Sequence, residues 1–266
     1  MMTDNIKIAV LIDGDNAEAN LIDLILNEAA KFGRVTIKRI YADFTSQQMN
    51  VWKNQLNIYA IRPIQKFAYT KGKNSTDSAL IIDAMDIMHS KLVDGFCIVS
   101  SDSDYTGIAH RIREEGLFVM GIGKSHTPEA FVKACENFTY TEILTPQPIV
   151  VSKNKVKQET KKQQIVKPSL PISKTSGKID LTNLITKKPI DVNIVNKAFE
   201  MVYDALTGLA TASQLGAALR KVDPTFDIRN YGHTSFKNFL EALKPQFEIE
   251  FRDDKQGKTI LVKRGK

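Results

Sequence analysis

The sequence predicts an α/β fold: a mostly parallel sheet with helices on both faces, joined to a small C-terminal winged-helix domain of the α+β class. Three observations carry that prediction. Over residues 7–123, short apolar, β-branched runs alternate with helix-period segments, the pattern of successive βαβ units. From Pro146 the periodicity stops in a lysine-rich stretch with no aromatic residue. Beyond it, three amphipathic segments and a hairpin pattern close the chain.

Lys7–Ile12, an apolar run ending at "DGDN", reads as the first strand. The helix expected over Ala17–Phe32 gathers Leu21, Leu24, Ile25 and Ala29 on one face, and Gly33 is its expected stop. Val35–Tyr41 is the second strand, Ser46–Leu56 the second helix and Ile58–Arg62 the third strand. Thr76 is placed to cap a helix over Thr76–His89 that buries Ala79, Leu80, Ile82, Ala84, Met85 and Met88. Gly95–Ser100, a helix over Tyr105–Glu115 and Leu117–Ile122 complete the sheet domain, expected over residues 1–145. Residues 146–190 read as a flexible linker, with too little apolar surface to offset the entropy of ordering. Residues 191–266 supply three helices, within "NIVNKAFEMVYDALTGL", "ASQLGAALRKV" and "SFKNFLEALKP", then a hairpin around Asp253–Gly257.

The 266 residues are 42% hydrophobic and carry a net charge of +7. Its location is the informative part: residues 146–189 hold ten lysines against only Glu159 and Asp180. Such a tract attracts polyanions through screened electrostatics, or is simply a solvated connector. No apolar stretch approaches the roughly 20 residues that span a bilayer, and "MMTDNIKIAVLID" has no leader pattern. A soluble, cytoplasmic protein without membrane partners is expected. Cys97 and Cys135 are too few for a disulfide framework or zinc site and read as core residues. His89, His110, His126 and His233 are scattered, and no GxxxxGK[ST] phosphate loop is present.

The chemistry is concentrated in aspartates at turns. "LIDGDN" places Asp13, Asp15 and Asn16 after the first strand, "KGKNSTDSALIIDAMD" places Asp77 in a first helical turn, and "SSDSD" places Asp102 and Asp104 after the fourth strand. With strand order 3-2-1-4-5, strands one and four are neighbours, and Asp13 and Asp102 converge at the switch point. Like charges there are relieved by partial protonation or by a divalent cation, and an oxygen-only donor set favours Mg²⁺ or Mn²⁺. Metal-assisted phosphodiester hydrolysis is the leading chemistry. Each aspartate also suits a plain role as a loop or helix-capping residue. Lys66, Lys71 and Lys73, beside Phe67 and Tyr69, are placed to grip a single strand or to form a solvated loop.

Through "LIDGDN", "KGKNSTDSALIIDAMD" and "SSDSDYTGIAHRIREEG", residues 5–142 resemble the NYN family of PIN-like ribonuclease domains, which includes the LabA-like proteins. The resemblance implies a Rossmann-like PIN fold and Mg²⁺- or Mn²⁺-dependent endoribonuclease activity. It further implies that Asp13, Asp77, Asp102 and Asp104 hold the metal, that Asn16 supports Asp13 and that Ser101 lines the RNA-binding turn. Residues 193–264 are similar to a LOTUS (OST-HTH) domain through "ASQLGAALRKVDPTFDIRNYGHTSFKNFLEAL". That likeness implies binding of RNA, expected to be single-stranded, or docking to a protein partner. Lys221, Arg229, His233, Lys237, Arg252, Lys255, Lys258, Lys263 and Arg264 are its candidates for phosphate contact. Two competing readings remain: a non-catalytic RNA-binding or scaffold protein, and a haloacid-dehalogenase-like phosphatase with Asp13 as nucleophile and Asp15 as acid-base partner.

Overall fold

The computed structural model describes residues 6–67, 75–145, 188–254 and 257–265. Most of the expected linker, residues 146–187, lies outside these, as do Lys71, Lys73 and Lys255. Six strands form one parallel sheet: β1 (Lys7–Asp13), β2 (Arg34–Ala42), β3 (Arg62–Gln65), β4 (Gly95–Val99), β5 (Phe118–Gly123) and β6 (Asn137–Tyr140). Their order is β3-β2-β1-β4-β5-β6. The helices between them are α1 (Ile22–Ala30), α2 (Trp52–Ile58), α3 (Ser75–His89), α4 (Thr106–Glu114) and α5 (Glu129–Ala134).

Alternation along the buried strands divides the core into two layers. Leu11, Phe96, Ile98 and Val119 pack against Leu80 and Ala84 of α3, Ile108 and Ile112 of α4, and Phe131 of α5. On the opposite face Val10, Ile12, Cys97, Val99 and Ile122 meet Ile22 and Ile25 of α1 and Trp52 of α2. The predicted α/β class and the β1–β4 adjacency therefore stand. Among the described residues, no helix is long and apolar enough to cross a membrane.

Several local expectations are corrected. The third strand begins at Arg62, where it was expected to end, because α2 runs on to Ile58 and Ala60 turns the chain in the left-handed region (φ 50°). The first α-helix starts only at Ile22, after a 3-10 turn over Ala19–Leu21. Gly33 does not end it through a positive φ; a Cβ there would lie 2.5 Å from the Ile6 carbonyl oxygen, and this close approach explains the glycine. Thr76 lies inside the first turn of α3 and is not its cap, and Ile82, expected on the buried face, is exposed. Strand β6 and helix α5 are additional; four and six residues are too few to display a period.

The C-terminal region comprises α6 (Val192–Glu200), β7 (Leu209–Thr211), α7 (Ala212–Val222), α8 (Phe236–Glu241), β8 (Phe247–Asp254) and β9 (Gly257–Arg264). Its antiparallel sheet has the order β7-β9-β8, and the predicted hairpin closes at Asp254 and Gly257. Side-chain caps start each helix: Asp191 for α6, a Thr211–Gln214 capping box for α7 and Ser235 for α8. Phe239 is fully buried at the centre of an aromatic cluster with Phe226, Tyr231 and Phe236. Phe239→Ala is expected to cost this region about 3–5 kcal/mol. Hydrogen exchange at the α7 amides measures the loss, with the β4 amides as internal control.

Candidate metal centre

Strand β1 is buried from Ile8 to its last residue, so Asp13 emerges at the carboxyl edge of the sheet still fully covered. Its Oδ2 accepts hydrogen bonds from Asn16 Nδ2 (2.6 Å) and Ser100 Oγ (2.8 Å), and its Oδ1 accepts from the Asp15 N–H (3.1 Å). Burial pushes the Asp13 carboxyl above the ordinary carboxylate range and the Asp77 charge adds to it, while the three donors oppose the rise. The Asp13 carbonyl then accepts from the Ala17 N–H at 2.9 Å, closing the turn.

Ser100 links this turn to the next one. The same Oγ that donates to Asp13 accepts from the Asp102 N–H at 3.1 Å, joining the exits of β1 and β4. Asp102 caps the short turn Ser103–Tyr105 by accepting from the Asp104 N–H (2.9 Å), so the capping role foreseen for it is real. Ser101 Oγ accepts from the Lys124 N–H (2.9 Å) and ties the β4 exit to β5. Gly123 permits this close approach, since a Cβ there would sit 2.4 Å from the Ser100 carbonyl oxygen.

Asp77, in the first turn of α3, completes the edge. One carboxylate oxygen from each of Asp77, Asp102 and Asp104 falls within 4.8 Å of the others. Asp77 and Asp102 are partly buried and Asp104 is exposed. Burial raises the Asp77 carboxyl, and the charges of Asp102, Asp104 and Asp15 raise it further. Against them, Tyr105 Oη donates to Asp77 Oδ1 at 2.7 Å. The three carboxylates offer an oxygen-only donor set, of the kind that suits a hard divalent cation such as Mg²⁺ or Mn²⁺. Asp13 is not a member of this trio; it is tied to the trio through Ser100.

Two residues of this edge were not among the candidates. Ser100 reads in the sequence as a strand end and Tyr105 as a helix start, and no local signal separates them from those roles. Asp83 points elsewhere, to Arg39 and Tyr41 of β2. Of the basic candidates, Lys66 is exposed just beyond β3, and Lys221 is exposed at the end of α7. Lys237 Nζ lies 5.0 Å from the ring centre of the exposed Phe251. Arg229 is turned onto Asp227 and Glu28.

A family model described as NYN domain matches residues 7–145, and one described as OST-HTH/LOTUS domain matches residues 178–259. Among solved structures, a protein of unknown function from Vibrio parahaemolyticus is 20% identical, with a TM-score of 0.43, covering 52% of this chain and 94% of that one. An uncharacterized protein from Nitrosomonas europaea, solved by NMR, is 22% identical with a TM-score of 0.28, covering 41% and 93%. No curated protein gives a significant match.

Proposed function

The chain belongs to the NYN domain family, and from that premise we propose that it is a metal-dependent endoribonuclease that hydrolyses RNA phosphodiester bonds at its aspartate edge. The observation that carries this reading is the trio Asp77, Asp102 and Asp104 at the carboxyl edge of a parallel sheet, where such folds bind their ligands. In this reading the trio holds Mg²⁺ or Mn²⁺. The bound cation supplies Lewis-acid polarisation of the phosphodiester and offsets its developing negative charge.

The remaining steps belong to the protein. Asp13, held by Asn16 and Ser100, fixes the turn that carries Asp102. Tyr105 orients Asp77 by its hydrogen bond. Lys66, with Lys71 and Lys73 of the same stretch, attracts the phosphates of a single strand toward the acidic edge. We propose a division of labour in which residues 1–145 cut, the lysine-rich 146–190 segment raises affinity without selecting sequence, and residues 191–266 bind RNA or a protein partner. Lys221 and Lys237 are the proposed phosphate contacts of that last domain. The buried, unpaired Cys97 and Cys135 suit a reducing compartment, and the cytoplasm is the proposed location.

Labelled single-stranded RNA tests the reading. Cleavage is expected with Mg²⁺ or Mn²⁺ and is expected to stop in EDTA. Binding that ignores the metal and never leads to cleavage would instead make the chain an RNA-binding scaffold. A covalent aspartyl-phosphate on Asp13 would mark the phosphatase chemistry.

A further inference from the structure

Away from the acidic edge, a second carboxylate is buried. Glu28, near the end of α1, has a side chain only 6% exposed. Its Oε2 accepts from Lys31 Nζ at 2.7 Å and its Oε1 from Arg229 Nη2 at 2.9 Å. Arg229 stands 201 residues further along, between α7 and α8. Its Nη2 also meets Asp227 Oδ2 at 2.6 Å, and its Nε donates to Asp227 Oδ1 at 2.9 Å. A carboxylate withdrawn from water is tolerated only when charge and hydrogen bonds replace the solvent, and here the replacement comes from the C-terminal region.

A backbone contact lies beside it. β6 is an edge strand of the parallel sheet, and edge N–H groups left open invite pairing with other chains. The Phe138 N–H of β6 donates to the Pro224 carbonyl oxygen at 2.8 Å, five residues before Arg229. The electrostatics agree with the contact. Burial works to raise the Asp227 carboxyl, but Arg229 and the more distant charge of Lys31 on the α1 side hold it low. Burial pushes the Tyr140 hydroxyl of β6 up, and Asp223 adds to it from the C-terminal side.

We infer that the Glu28–Arg229–Asp227 ion cluster and the Phe138–Pro224 hydrogen bond form a docking interface that holds the winged-helix domain against α1 and the β6 edge. Arg229 then serves domain docking and not phosphate contact. The inference stands apart from the proposed RNA cleavage and survives if the acidic edge proves inert.

Hydrogen exchange on the full chain tests it, because the Phe138 amide reports the interface directly. In the unaltered protein this amide is expected to exchange slowly. Glu28→Gln and Arg229→Gln are each expected to speed its exchange about tenfold or more, since breaking a charged hydrogen bond leaves its partner buried. The double variant should be no faster than the faster single, and the β4 amides should stay protected in all three. Exchange of Phe138 at its intrinsic rate in the unaltered chain overturns the inference, whatever the variants do. So does unchanged Phe138 exchange in both single variants, or a double variant in which their effects add.

Discussion

Asp77→Asn is expected to lower RNA cleavage by at least about 100-fold, more than outer-shell partners of metal sites usually cost, and to raise the melting temperature in EDTA. The opposite signs follow from one arrangement. Burial and the charges of Asp102, Asp104 and Asp15 raise the Asp77 carboxyl, and Tyr105 only partly offsets them. The folded chain therefore holds a proton over a pH range in which the unfolded chain has released it, and stability falls as pH rises through that range. Above it the penalty is constant; below the ordinary carboxylate value near about 4 it vanishes. Asparagine removes the penalty, so the metal-free gain in melting temperature appears at neutral pH and fades in acid. Added Mg²⁺ or Mn²⁺ should stabilise the parent and much less the variant. A variant that merely damaged the fold would lose melting temperature and activity together. If Asp77→Asn melts lower in EDTA yet cuts like its parent, the trio is not the metal centre.

The centre of the sheet was legible because β1, β4 and β5 are buried along nearly their whole length and read as near-continuous apolar runs. β1 and β4 stand out in this way, and from their adjacency the meeting of the Asp13 and Asp102 turns follows. The third strand was misread because "IYAI", residues 58–61, is an unbroken apolar run that offers no period to separate the end of α2 from the start of β3. Three of the four predicted ligand carboxylates come together, since each sits at a turn whose place in the topology was readable. What binds them to one another was not readable. Ser100 bridges Asp13 and Asp102 across two strands, and Tyr105 reaches Asp77 across 28 residues of sequence. Neither contact leaves a trace in local pattern. Arg229 shows the same limit from the other side: composition makes it a free cation, and only the packing of Asp227 and Glu28 around it shows its charge engaged.

Tyr105→Phe isolates one of these unreadable contacts, and it is expected to weaken metal affinity by about 10–100-fold, the range for groups that orient a ligand. The ring is fully buried and packs 6.2 Å, centre to centre, from Phe131, so phenylalanine preserves its packing. Only the hydroxyl is lost, at a stability cost of about 0.5–1.5 kcal/mol. Burial holds that hydroxyl's pKa far above its ordinary value, with the charges of Asp13 and Asp77 adding, so it remains a donor at every working pH. Without it Asp77 keeps the repulsion of its acidic neighbours and loses the neutral group that opposes it. The carboxyl then protonates more readily, and proton and cation compete for the same oxygens. The expected signature is a higher Mg²⁺ or Mn²⁺ concentration for half-maximal cleavage, with the rate at saturating metal close to that of the parent. An unchanged metal requirement would show that Tyr105 does not position Asp77. A rate that no metal concentration restores would place its hydroxyl in contact with the reacting phosphate instead.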